Sequence, residues 1–405
     1  MPTISTRGQL LPASPIRKLA PFADAAKARG VKVYHLNIGQ PDIPTPEVGL
    51  AALKKIDRTT LEYSPSDGLP EVRAKFAEYY ARQGVSVTPD QIIVTAGGSE
   101  ALCFAMLACL DAGDELIMTE PGYANYISFA RQMGVTVVSV PTSIETGFAL
   151  PPISEIEQYI TPRTRAILIC NPNNPTGYLY NRSEMEHIGT IVKKHDLFLI
   201  SDEVYREFSY TDQPPLSALG LPGTEQNVVM VDSVSKRYSE CGIRVGMLVT
   251  RNREVRAAAM KAAQARLSPP LLGQLVAAAS VDAPAGYLEA IYDEYISRRD
   301  LLILGLNRIP GVFAPVPRGA FYTMARLPVD DADRFCEWML SEFSHIPSGS
   351  TVPSTVMMAP GSGFYTDPER GRKEVRIAYV LKKSDITAAL EVLAAALESY
   401  PGREV

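Results

Sequence analysis

Short apolar, β-branched runs, each ending in a polar or glycine-rich stretch, recur between about residue 91 and residue 250. Gln91–Thr95, Glu115–Thr119, Val135–Val140, Arg165–Asn171, Phe198–Asp202, Val228–Ser233 and Val245–Thr250 read as strands, and their nearly continuous apolar character is that of strands covered on both faces. Stretches of helical spacing lie between them, such as the apolar segment Glu100–Leu110. This alternation predicts an α/β fold: a large domain with a mostly parallel sheet flanked by helices. Tyr287 to Ile309 has helical periodicity, with Glu289, Asp293, Glu294, Arg298 and Arg299 on one face, and predicts a long connecting helix. Beyond it, Gly319-Ala-Phe-Tyr322 and the strand-like Val375–Tyr379 predict a smaller α+β domain. The expected division is 1–48 as an arm that joins the small domain, 49–285 as the large domain, and 286–405 as connecting helix and small domain.

Three of the strand ends carry chemistry. Ala166–Cys170 runs into Asn171-Pro-Asn-Asn174-Pro175-Thr-Gly177, Leu197–Ile200 into Ser201-Asp202-Glu203-Val204-Tyr205, and Val228–Asp232 into Ser233-Val-Ser235-Lys236. Open α/β sheets bind ligands at the carboxyl ends of their strands. One rim would thus hold an amide, a carboxylate with a phenol, and a lysine. A lone Ser-x-Ser-Lys reads equally well as a solvated lysine; the neighbours give it meaning. Together they match the needs of a pyridoxal phosphate ring: a carboxylate to keep the pyridine nitrogen protonated, a phenol and an amide for its 3-oxygen, and an amine for its aldehyde.

The phosphate end has its own signature. Strand, Ala96-Gly97-Gly98-Ser99 turn and helix form an anion site, because unpaired N–H groups converge there with the helix dipole behind them. Ser99 reads as a helix N-cap, a phosphate ligand, or both. Arg244, in Gly-Ile-Arg-Val-Gly, could hold a phosphate as well. Tyr123, in Glu120-Pro121-Gly-Tyr123, reads by itself as a turn aromatic. Arg376 is one charge within an apolar strand, where charges are seldom left unpaired, and its planar fork suits an α-carboxylate.

On these residues the chain resembles the fold type I pyridoxal-phosphate aminotransferases of class I/II, in the branch that includes the aspartate aminotransferases, from about Ser14 to Arg376. The resemblance implies that Lys236 is the Schiff-base lysine and catalytic base, and that Asp202 pairs with the pyridine nitrogen. Tyr205 and Asn174 would contact the 3-oxygen, with Asn174 also near the substrate carboxylate. Gly98, Ser99, Ser233, Ser235 and Arg244 would hold the phosphate, and Tyr123 would stack on the ring. Arg376 would bind the substrate α-carboxylate. Gly39, in Asn37-Ile-Gly39-Gln-Pro41-Asp42, would sit in a loop that closes over the substrate. Tyr63 would reach the phosphate of a neighbouring subunit, which implies a homodimer with shared active sites. Pro121 and Pro175 would follow cis bonds.

The implied reaction moves an amino group from an L-amino acid, with aspartate the expected donor, to a 2-oxo acid such as 2-oxoglutarate. One departure bears on the donor. Aspartate-specific relatives reach across the dimer with an arginine, and the matching stretch Ala262–Pro270 offers alanines there; Arg266, nearer the prolines, either substitutes or caps the helix. The rival readings are a same-fold carbon–sulfur lyase, an aminotransferase for alanine or aromatic donors, and, more remotely, a non-enzymatic regulator. The regulator would need a DNA-binding segment, for which there is no room before Ser14.

Composition narrows the partners. A 46% hydrophobic and 21% charged chain of 405 residues is ordinary for a globular enzyme, and a net charge of −5 leaves no electrostatic footprint for nucleic acid or an acidic membrane. The partners expected are small amino and oxo acids. Five cysteines without a CxxC pair suit structural thiols in a reducing compartment, and the four histidines, read as surface or loop residues, show no metal spacing. The N-terminal Met-Pro-Thr-Ile-Ser-Thr-Arg lacks the apolar core of a signal peptide, so the expected location is cytoplasmic.

Overall fold

Alternate residues along one strand belong to different apolar clusters, which is why the central sheet is sealed on both sides. Leu116 and Met118 pack with Ala166 and Leu168 on one face, while Ile117 packs with Ile167 and Ile169 on the other. The computed structural model, which describes residues 2–9, 11–211 and 215–404, arranges seven strands in one sheet. Their order is Ile92–Thr95, Gly246–Thr250, Val228–Ser233, Phe198–Asp202, Thr164–Cys170, Glu115–Glu120 and Thr136–Pro141. Gly246–Thr250 runs antiparallel to both neighbours, and every other pairing is parallel. The fold is therefore α/β with a mostly parallel sheet, as the spacing of apolar runs predicts.

Register brings the chemistry to one edge. Cys170 lies opposite Asp202, and Asp202 opposite Val231, so the segments starting at Asn171, Glu203 and Ser233 leave the sheet side by side.

The predicted elements stand with shifted ends. The long helix is Ala285–Leu306, and its charged face is not wholly solvated: Arg298 is buried against Asp42 at 2.6 Å and Glu294 at 2.8 Å. The helix expected from Glu100 begins at Gly98, and its cap is Gly97, not Ser99. Gly97 has φ 84°, a left-handed turn that suits glycine, and a Cβ there would lie 2.3 Å from the Arg244 guanidinium. Ser99 thus lies inside the first turn, which corrects the N-cap expectation. Among the described residues three proline bonds are cis, at Pro121 and Pro175 as the resemblance implies and also at Pro172.

The smaller sheet elements gather sequence ends. Tyr322–Arg326, Glu374–Ala378 and Ala359–Pro360 form an antiparallel sheet, while Lys32–His35 pairs in parallel with Ser354–Met357. His35 is accordingly a half-buried strand residue and not the surface or loop histidine expected.

Under the strand end at Ser233 sits a buried ionic knot. Arg237 is paired with Asp232, both 0% exposed, and Asp232 also accepts from the Tyr80 hydroxyl at 2.8 Å and the Ser233 amide at 2.7 Å. Removing one member of such a pair strands the other, at a cost of about 3–5 kcal/mol, whereas an exposed pair contributes under about 1 kcal/mol. Urea denaturation should show Asp232→Ala losing stability on that larger scale, while Lys75→Ala, which breaks an exposed pair with Asp282, stays near wild type. Comparable small losses in both variants would contradict the anchoring role of Asp232.

Candidate active site

The carboxyl rim of the sheet opens into a cavity of about 710 Å³. One end is built for an anion. The helix Gly98–Cys109 points its first-turn amides there, with Ser99 among the lining residues. Ser233 and Ser235 lie beside it, their hydroxyls 2.9 Å apart. Arg244, in a left-handed conformation at φ 56°, donates among the described residues only to the Cys241 and Ala96 carbonyls, at 3.1 and 3.2 Å. None of the described carboxylates pairs with it.

The middle of the cavity holds the amine, the phenols and the acid. Lys236 donates its Nζ to the Gly39 carbonyl at 2.9 Å. Tyr205 lies 3.1 Å from the Tyr322 hydroxyl and accepts from the Asn174 amide at 3.4 Å. Asp202, 4% exposed, accepts from the Tyr126 hydroxyl at 2.7 Å and from the Val204 amide at 3.3 Å, and pairs with no cation among the described residues. Burial outweighs those two hydrogen bonds and pushes its carboxyl up to about 6. Tyr123 packs edge-on to Tyr126, with ring centroids 5.3 Å apart, and burial raises its phenol to about 12.

Arg376 forms the opposite end. It is 1% exposed and donates to the Asn174 side-chain oxygen at 3.0 Å and to the Asn37 carbonyl at 2.5 Å. Its guanidinium lies over the Tyr322 ring at 4.5 Å, its Nε finds no partner, and no described carboxylate pairs with it. Burial therefore lowers its pKa. Gly39 closes this side: a Cβ there would collide with the Tyr322 hydroxyl at 1.7 Å, so only glycine admits the loop so close.

The cavity thus gathers Gly39, Gly98, Ser99, Tyr123, Asn174, Asp202, Tyr205, Ser233, Ser235, Lys236, Arg244 and Arg376 from the sequence reading. Two residues of that reading lie elsewhere. Tyr63 is 79% exposed and does not line this cavity. Arg266 ends the helix Arg253–Ala265 and donates to the Ser66 and Val94 carbonyls at 3.1 and 3.3 Å, with Glu100 at 3.6 Å. That is the position of the helix-end alternative, and Arg266 does not line the cavity of its own chain. Tyr126, Tyr322 and Arg17 line the cavity without having been singled out. No cluster of potential metal ligands occurs among the described residues.

Four lining cations, Arg17, Lys236, Arg244 and Arg376, face one carboxylate, Asp202. Such a site takes a molecule with an anionic group at either end and something that reacts with an amine between them.

Comparisons with known proteins converge. The family model described as aminotransferase class I and II matches residues 31–393. The aspartate/prephenate aminotransferase of Thermus thermophilus is 32% identical over 378 residues, covering 92% of each chain. The valine–pyruvate aminotransferase of Mycobacterium tuberculosis is 34% identical over 374 residues, covering 91% of this chain and 92% of that one. Among solved structures, the Thermus thermophilus aspartate aminotransferase with maleate superposes with a TM-score of 0.87 at 30% identity, over 98% of this chain and all of that one. The alanine aminotransferase from Pyrococcus furiosus gives 0.87 at 31% identity, with the same coverage.

Asp202 makes a pH prediction. Its folded pKa of about 6 lies above the ordinary 3.8, so the native state binds that proton more tightly than the unfolded chain does. Its contribution to stability therefore falls as pH rises from about 4 to about 6 and is flat above. Urea unfolding of cofactor-free protein should show Asp202→Asn gaining on wild type by about 3 kcal/mol between pH 4 and pH 7. A difference that does not change with pH would contradict the raised carboxyl.

Proposed function

The chain belongs to the class I and II aminotransferases, a pyridoxal-phosphate-dependent family, and from that membership we propose that it transfers the amino group of L-aspartate to 2-oxoglutarate at the cavity around Lys236. The observation that carries the reading is the placement of Lys236 between two cationic ends, Arg244 and Arg376, neither of them neutralised by a described carboxylate.

The residues present fit the cofactor. Arg244, Ser233, Ser235, Ser99 and the Gly98 turn are donors of the kind a phosphate needs, and Asp202 is a buried carboxylate with no cation of its own. Tyr205 and Asn174 would hold the ring's 3-oxygen, and Tyr123 would cover one face. When bound, pyridoxal phosphate supplies an aldehyde that joins to an amine and an electron sink for charge released at the substrate's Cα. Lys236 is the amine that anchors it and, once free, the base that takes the proton from Cα, a role typically worth about 10²–10⁴ in rate. Asp202 keeps the pyridine nitrogen protonated through its charge. Arg376 and Asn174 orient the α-carboxylate, and the Gly39 loop shields the reacting atoms from water.

Aspartate is favoured among donors by the cationic lining and by the relatives named for aspartate. The protein acts as a homodimer in this reading, with Tyr63 reaching the partner's phosphate site; its 79% exposure leaves it free to do so. A cytoplasmic location fits five unpaired cysteines, and no described helix is long and apolar enough to cross a membrane.

A panel of amino donors against 2-oxoglutarate, read by keto-acid and glutamate formation, tests the assignment. Aspartate should give oxaloacetate and glutamate in equal amounts, faster than alanine, valine or phenylalanine. Release of ammonia without glutamate would mean a lyase. In the same assay Lys236→Ala should lose on the order of 10⁴ or more in turnover; a variant that still turns over near the wild-type rate would remove Lys236 from the chemistry.

A further inference from the structure

Three of the four cations in the cavity have an occupation. Arg244 stands at the Gly97–Ser99 turn with the two serines, Lys236 lies in the middle, and Arg376 is coupled to Asn174. Arg17 does not have one. It is exposed, it lines the cavity, and its guanidinium makes no hydrogen bond or ion pair among the described residues.

The segment that carries Arg17 is nonetheless fixed, and it is tied to Arg376. The Ile16 carbonyl accepts from the Asn37 amide at 2.7 Å, and the Asn37 carbonyl accepts from Arg376. Backbone turns close Arg17 and Lys18 onto the Ser14 carbonyl at 3.1 and 2.9 Å. Pro15 abuts Gly363 so closely that a Cβ there would sit 2.3 Å from it, and Ile16 packs against the Ala124–Phe364 cluster. Lys18 is paired with Asp333, which leaves its neighbour as the charge directed to the cavity. Arg17 and Tyr123 line the same cavity, together with Ser14 and Ile16 of the arm.

From this arrangement we propose that Arg17 is the group that selects dicarboxylic substrates, receiving the side-chain carboxylate of an acidic amino acid whose α-carboxylate rests on Arg376. The inference rests on the aminotransferase reading above and goes beyond it by naming the determinant within the chain's own cavity. Arg266 is a poor rival for the task, because its guanidinium is engaged by two carbonyls and Glu100. Arg17 needs no contact broken before it can bind. Its planar fork can take a carboxylate with two parallel hydrogen bonds. Exposure keeps the unliganded cation hydrated, so the protein avoids the cost of burying an unpaired charge until the substrate brings the counter-charge.

Single-turnover reaction of the holoenzyme with one donor at a time tests this without a dicarboxylic acceptor. The comparison is wild type, Arg17→Gln and Arg17→Lys, each with aspartate and with alanine, followed by the absorbance of the bound cofactor. Calorimetric titration with succinate and with propionate adds a readout that needs no chemistry. Arg17→Gln should cut the ratio of limiting rate constant to apparent Kd for aspartate by about 10- to 100-fold, mainly through Kd, and weaken succinate in proportion. Alanine and propionate should stay within about twofold, and Arg17→Lys should recover part of the loss. Equal losses for aspartate and alanine, or no loss for either, would overturn the assignment of Arg17. A wild-type enzyme that reacts with alanine but not with aspartate would instead refute the aspartate reading, whatever the variants do.

Discussion

An ion pair closed off from water, Arg237 with Asp232, sets the direction of everything at the sheet's rim. Asp232 is the penultimate residue of its strand, and it holds the next amide, Ser233, as well as the Tyr80 hydroxyl. The chain then turns into the short helix Val234–Arg237. Successive side chains on a helix point about 100° apart. Fixing Arg237 beneath the sheet, against the Tyr79 ring at 4.5 Å, therefore fixes where Lys236 points. Tyr79 and Tyr80 come from the distant helix Pro70–Arg82, so the lysine's aim depends on packing between elements far apart in sequence. A lysine on a freely hinged loop would sample many directions; this one has its neighbour locked in place.

The cavity tolerates charges that folding alone would not select. Arg376 and Asp202 are both buried, are of opposite sign, and have no ion-pair partner among the described residues. Each costs desolvation free energy that hydrogen bonds offset only in part. Asn174 and the Asn37 carbonyl ease Arg376, while Tyr126 and the Val204 amide ease Asp202. Such perturbed groups concentrate where a ligand completes them. The raised carboxyl of Asp202 is a measure of that incompleteness, because a cation brought against it would restore its ionised form.

Local signals were legible in the sequence, and distant ones were not. The apolar runs ending at Cys170, Asp202 and Ser233 announced three parallel strands, and their polar tails announced a shared rim. Tyr126 gives no local signal, because its hydrogen bond to Asp202 joins positions 76 apart. The same holds for Tyr322, which meets Tyr205 across 117 residues. Arg17 lies in an arm without regular pattern, and it meets the cavity only because the arm is held to Asn37, far along the chain from most of the other lining residues. Ser99 carries the residue type of a cap, but Gly97 takes up the turn and starts the helix two residues sooner. Arg266 stands at the helix end, one of its two sequence alternatives, and the carbonyls and carboxylate around it come from segments distant in sequence.

The central claim is that Lys236 is the one lysine to which the cofactor is joined. Borohydride reduction of the holoenzyme, followed by proteolysis and mass mapping, reads this directly. The added pyridoxyl mass is expected on the peptide containing Ser233-Val-Ser235-Lys236, at the lysine and nowhere else in stoichiometric amount. A stoichiometric label on any other lysine, with Lys236 unmodified, would contradict the assignment and the geometry built around it.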